Sequence, residues 1–90
     1  MSISDLSGKI VFKVKLDKEI KKIVIHNDDI NYNELLLMMQ RIFSDKIKPN
    51  DDILMKYTDE ENDLITLSND SDVLLALQSS KILKLTLFCN

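Results

Sequence analysis

From Lys9 to Leu16 the chain alternates without interruption, with Ile10, Phe12, Val14 and Leu16 on one side and Lys9, Val11, Lys13 and Lys15 on the other. A period of two held over eight residues specifies a strand with one buried and one open face. Such a strand needs a neighbour, and its apolar side needs a cover. After the polar turn Asp17-Lys18-Glu19, a second strand runs from Ile20 to His26, with Ile23 and Ile25 inward and Lys22, Val24 and His26 outward. Strict parity turns Lys21 inward beside Ile23, which predicts a bulge or a late strand start near Lys21. The lysines of the two strands then share the open face of one hairpin.

Asn31 opens a helix, with Glu34 three residues on in a capping-box arrangement. Leu35, Met38, Met39, Ile42 and Phe43 supply an apolar stripe at helical spacing. Adjacent methionines suit an adaptable binding surface, but at these positions they read as core. Pro49 and Asn50-Asp51-Asp52 break the chain, Ile53, Met55 and Tyr57 alternate as a third strand, and Leu64 to Leu67 form a short fourth. Asn69 or Asp70 caps a short second helix carrying Val73, Leu74 and Leu77. Leu83, Leu85 and Leu87 face inward on a last strand. The order is ββαββαβ: a hairpin, a crossing helix and a final strand that must return to the sheet. It predicts an α+β, ubiquitin-like β-grasp roll, a mixed sheet packed on one main helix plus a short second one.

Ninety residues make one domain, 1–90, and its 44% apolar content, spread along the whole chain, argues against disorder. Ending just past a strand, the chain reads as a domain excised from a longer scaffold protein. The single cysteine, Cys89, excludes an internal disulfide and fits a reducing compartment. Beside the last residue it reads as a buried or half-buried strand thiol rather than a nucleophile. No run approaches the ~18 apolar residues of a membrane span, and the N-terminus lacks a signal-peptide pattern. A cytoplasmic location and no direct membrane insertion are expected. One Gly and one Pro leave no room for a phosphate-cradling loop.

Charge is distributed unevenly. Residues 1–48 carry nine basic groups against seven acids, a net of +2, whereas residues 49–90 carry three lysines against eight acids, a net of −5. Six of the fifteen acids fall between Tyr57 and Val73, four of them in Asp59-Glu60-Glu61-Asn62-Asp63. Crowding them costs self-repulsion, so a positive surface should meet them, and Lys13, Lys15, Lys21 and Lys22 are candidates. A molecule with a basic end and an acidic end can bind copies of itself head to tail.

Other chemistries fit poorly. Counted from Asp59, acids fall at loop positions one, three and five as in an EF-hand, but position six is Leu64 where Gly is needed, and position twelve is Asp70 where Glu is needed. No metal or other cofactor is expected. The lysines lack interleaved aromatic residues and the chain is acidic overall, so nucleic acid is not an expected partner. The sole histidine, His26, has no neighbouring nucleophile, and exposed loop acids are not a dyad in a cleft, so no enzymatic activity is expected. A conjugated modifier needs a Gly-Gly tail, and the chain ends Phe88-Cys89-Asn90.

Tyr57-x-Asp59-Glu60-Glu61-x-Asp63, an apolar strand, and Ser68-x-x-x-Asp72-Val73 before a short helix resemble the acidic signature of the Phox-and-Bem (PB1) domain. Lys13 and the pair Lys21-Lys22 resemble that family's basic cluster, and carrying both resembles its dual type, donor and acceptor in one. The resemblance covers essentially the whole chain. It implies an acidic face of Asp59, Glu61 and Asp63 with Asp72 adding from the helix start, and a basic face centred on Lys13 with Lys21 and Lys22 flanking. Lys15, His26, Glu60 and Asp70 stay unassigned. Where the family usually has Gly, this chain has Asn62, which tolerates positive φ. Further words, among them Asp5-Leu6-Ser7-Gly8-Lys9, Ile25-His26-Asn27 and Leu37-Met38-Met39-Gln40-Arg41, are similar to a family member that acts as an oligomerising scaffold at endoplasmic-reticulum exit sites in secretory (COPII) transport. The implied partner is a second copy, with a heterotypic adaptor for other PB1 domains, in a kinase or receptor, as the alternative. Serving as the regulatory module of an enzyme is a third reading, which sequence beyond Asn90 would have to support.

Overall fold

Strands β1 (Lys9–Leu16) and β2 (Glu19–His26) form an antiparallel hairpin in the computed structural model, which describes residues 9–26, 30–79 and 82–89. Only Asp17 and Lys18 lie between them. Asp17 takes φ 55°, a left-handed conformation that a short polar side chain tolerates. Pairing is continuous from Leu16↔Glu19 to Lys9↔His26, including Val14↔Lys21, so the bulge expected near Lys21 does not form and β2 starts one residue earlier. His26 closes β2; its side chain, Asp5–Gly8 and Asn27 lie outside the described residues.

Unbroken parity turns Lys21 toward the helical side of the sheet, away from Lys22. Its Nζ donates to the Ile42 carbonyl oxygen at the end of α1 (Tyr32–Ile42), lies 5.0 Å from the centre of the buried Phe43 ring, and is 3.8 Å from a Glu19 carboxylate oxygen. Inward placement of a lysine is affordable here because a helix C-terminus offers an orphan carbonyl and partial negative charge. Glu19 also binds Lys46 at 2.8 Å, and this hydrogen-bonded partnership raises the Lys46 pKa. At the other end of α1, Asn31 accepts from the Glu34 N–H at 2.8 Å, the N-cap that the sequence indicates.

The remaining elements are β3 (Ile53–Thr58), β4 (Leu64–Leu67), α2 (Asp70–Ser79) and β5 (Ile82–Cys89), giving the order ββαββαβ. The sheet runs β2-β1-β5-β3-β4, with β5 parallel to β1 and antiparallel to β3. This mixed five-stranded sheet with both helices is the β-grasp arrangement. Phe12, Val14, Leu35, Met39, Phe43, Met55, Leu67, Val73, Leu83 and Leu85 are fully or almost fully buried in one cluster. Met39 is core and Met38 is half-buried against it. On α2 the buried positions are Val73 and Ala76, with Leu77 half-buried; Leu74, expected beside them, is 56% exposed.

The sequence between α1 and β3 is held by Asp51, whose Oδ2 accepts from the Lys48 N–H at 2.8 Å and from the Cys89 thiol at 3.4 Å. The Lys48 amide chiefly holds the Asp51 carboxyl below its ordinary pKa, while burial pushes the Cys89 thiol up. The Cys89 thiol is free and half-buried.

Lys21→Ala should lower unfolding free energy by about 0.5–1.5 kcal/mol through the lost cap and ring contact. Lys22→Ala should stay within about 0.5 kcal/mol of the parent. Urea denaturation of the two variants checks this; equal effects would mean that Lys21 has no structural task.

Candidate protein-interaction site

β3 ends at Thr58 and β4 begins at Leu64, so Asp59–Asp63 is the connection of a hairpin. Asp59 folds it. Its N–H donates to the Asp63 carbonyl oxygen at 3.0 Å, and its own carbonyl oxygen accepts from the Asn62 N–H at 3.0 Å. Its Oδ1 accepts from the N–H groups of Glu61 (2.9 Å) and Asp63 (2.8 Å). Asn62 takes φ 66°, a positive value that glycine and asparagine tolerate. The tightened loop gathers Asp59, Glu61 and Asp63 so that each offers a carboxylate oxygen within 4.8 Å of the others. Two like charges at such distances repel by about 1 kcal/mol in bulk water and about 4 kcal/mol near a protein surface. Glu60, Glu61 and Asp63 are exposed.

The acids at the start of α2 are committed differently. Asn69 caps the helix by accepting from the Asp72 N–H at 2.9 Å, and Asp72 Oδ2 accepts in return from the Ser68 N–H at 2.8 Å. Half-buried Asp72 therefore has one oxygen serving its own helix and is not among the three carboxylates gathered in the turn. Asp70 Oδ1 accepts from the Tyr32 N–H at 2.8 Å, tying the start of α2 to the first turn of α1. Sequence pattern left Asp70 unassigned; it braces the two helices.

On the sheet face away from the core, register puts side chains in rows. Lys13 sits directly between Lys22 on β2 and Lys84 on β5, and all three are exposed. The next row runs Ile20, Lys15, Thr86, Lys56 and Thr66, crossing all five strands. Lys56 Nζ stands 5.5 Å from the centre of the Phe88 ring. On the other side of the lysine row lie Val24, Val11 and Ile82, with Val24 58% exposed. The structure thus unites Lys13 with Lys22, places Lys21 on the opposite face, and adds Lys84 and Lys56. The last two were missed because they belong to the acidic half of the sequence. Alternation of Leu83, Leu85 and Leu87 did imply an outward Lys84, but which strand lies beside it depends on topology.

Among the described residues, the ion pairs are those of Glu19 with Lys21 and with Lys46. Within the described residues, the three gathered acids and the row Lys22–Lys13–Lys84 take part in no ion pair. A small fold with an acidic turn and a basic sheet face is what the PB1 domain family carries, and the model of that family matches residues 9–90. The chain belongs to the PB1 domain family. PB1 domains are protein–protein interaction modules.

Solved PB1 structures share the fold across low identity. The cryo-EM structure of an AtNBR1-PB1 filament (L-type) superposes with TM-score 0.81 at 19% identity, covering 93% of this chain and 100% of that one. A structure of the AtNBR1-PB1 domain gives 0.80 at 16% identity with the same coverage. The solution structure of the Cdc24p PB1 domain (long form) gives 0.72 at 23%, covering 91% of this chain and 98% of that one.

Asp59→Ala removes the acceptor of two amides in the PB1 turn and should cost about 1–3 kcal/mol. Glu61→Ala, which removes no such acceptor, should stay within about 0.5 kcal/mol. Thermal or urea unfolding distinguishes them, and equal costs would contradict the templating role of Asp59.

Proposed function

We propose that this PB1 domain self-associates head to tail. The turn acids Asp59, Glu61 and Asp63 of one copy, with the free oxygen of Asp72, meet Lys13 and Lys22 of the next. Lys21 supports that face from behind rather than lying on it, since its ammonium is engaged with α1. The carrying observation is the pair of oppositely charged surfaces on one small domain, which no ion pair among the described residues neutralises. Exposed pairs contribute only ~0.2–1 kcal/mol each, so several must act together to hold a contact. Filament formation by the similar AtNBR1-PB1 domain supports the same mode of use here.

The finer placement rests on likeness of sequence. Asp5-Leu6-Ser7-Gly8-Lys9, Ile25-His26-Asn27, Leu37-Met38-Met39-Gln40-Arg41, Asp63-Leu64-Ile65-Thr66 and Ile82-Leu83-Lys84-Leu85-Thr86-Leu87-Phe88 resemble the N-terminal domain of the Trk-fused-gene protein, a scaffold at endoplasmic-reticulum exit sites. The proposal is therefore a cytoplasmic oligomerising scaffold in secretory transport.

Light scattering coupled to size exclusion should show a mass that rises with concentration and falls toward monomer near 1 M salt, where the Debye length is about 3 Å. Lys13→Ala and Asp63→Ala should each be monomeric alone and form a heterodimer when mixed. A mixture that stays monomeric contradicts head-to-tail assembly. A monomeric parent that binds another PB1 domain would favour the heterotypic adaptor.

A further inference from the structure

The lysine row spans three strands, not the two of the first hairpin. Lys22, Lys13 and Lys84 are register neighbours across β2, β1 and β5. Like charges placed directly opposite on adjacent strands destabilise a sheet. Here two such pairs share Lys13 at their centre, and none of the three has an acid within 4.0 Å among the described residues. Outward exposure of the row leaves room for an anionic counterpart supplied from outside.

Dimensions select the counterpart. Neighbouring strands lie about 4.8 Å apart, and the three turn carboxylates offer oxygens within 4.8 Å of one another. Across three strands the outer lysines stand about 9.6 Å apart at the backbone, wider than the triad, and flexible stems let the three ammonium groups converge on it. Against three carboxylates a single lysine leaves two uncompensated, and a hairpin pair alone leaves one. We infer that Lys84 on β5 is the third member of the receptor for the acidic turn of a second copy, completing a three-on-three charge contact. The inference rests on the head-to-tail reading.

A competing use of Lys84 lies within its own chain. Leu85 pairs with Tyr57, two residues before Asp59, so Lys84 stands at the end of the sheet from which its own acidic turn departs. Service to that turn would make Lys84 matter on the acidic partner, whereas service to a second copy makes it matter on the basic partner.

Two monomeric proteins separate these cases by calorimetric titration at fixed salt. The receptor carries Glu61→Ala and Asp63→Ala, leaving only its basic face competent; the donor carries Lys13→Ala, leaving only its acidic turn competent. Lys84→Ala in the receptor should raise Kd about tenfold, Lys84→Arg in the receptor should restore it to within about twofold, and Lys84→Ala in the donor should leave it unchanged. Matching circular dichroism melts establish that the variants are folded. Loss of affinity from the donor alone, or no loss from either, overturns the role of Lys84 while head-to-tail binding stands. Failure of the unmodified receptor and donor to bind removes the head-to-tail reading and this inference together.

Discussion

Parallel pairing of β5 with β1 is the constraint on which the other features depend. β1 alternates over all eight of its residues, and its inner side chains Phe12 and Val14 are inaccessible to solvent. β5 contributes Leu83, Leu85 and Leu87 to the same face, and its other edge recruits β3 and β4. Without that insertion the first hairpin and the β3–β4 hairpin would be separate two-stranded pieces, each marginal by itself in water. The same insertion carries Lys84 from the acidic half of the sequence to the side of Lys13.

Charge in this domain is divided between holding the fold and facing outward. Glu19, Lys21 and Lys46 form a cluster beneath the end of α1; Asp51 anchors the turn before β3; Asp70 braces α2 against α1. Asp59 does both, accepting two backbone amides while belonging to the gathered triad, and half-buried Asp72 accepts the Ser68 amide. Fixing those carboxylates by short hydrogen bonds means that little side-chain entropy remains to be lost on association. Glu61, Asp63, Lys13 and Lys22 are outward-facing groups with no such internal duty among the bonds described. That separation explains why some charge removals should unfold the domain slightly and others should act on binding alone.

Most of the architecture was legible because local periodicity carries it. Alternation in β1, β3 and β5, the Asn31 cap and the Leu35–Met39–Phe43 stripe each correspond to an observed element or core position. Lys21 was misplaced because strand parity and the dislike of inward charge gave opposite answers, and the sequence does not reveal that the Ile42 carbonyl waits on the inner side. Leu74 was misplaced because adjacent Leu74 and Leu75 cannot both face a core beneath a short helix; Val73 and Ala76 took the buried side and left both leucines more than half exposed. The acidic turn was readable as a local motif. Lys84 was not, because strand order is a nonlocal property and halves of a sequence are not halves of a molecule.

The central claim, that Lys13 of one copy meets the acidic turn of the next, is tested most directly by reciprocal charge reversal. Affinity is measured between two singly competent monomers, with Lys13→Glu on the basic surface, Asp63→Lys on the acidic surface, and both together. Each reversal alone should abolish measurable binding, and the combination should recover part of it, with a coupling at the lower end of the roughly 1.5–7 kcal/mol seen for close interfacial charge pairs. Coupling indistinguishable from zero would contradict the claim and show that Lys13 and Asp63 do not meet.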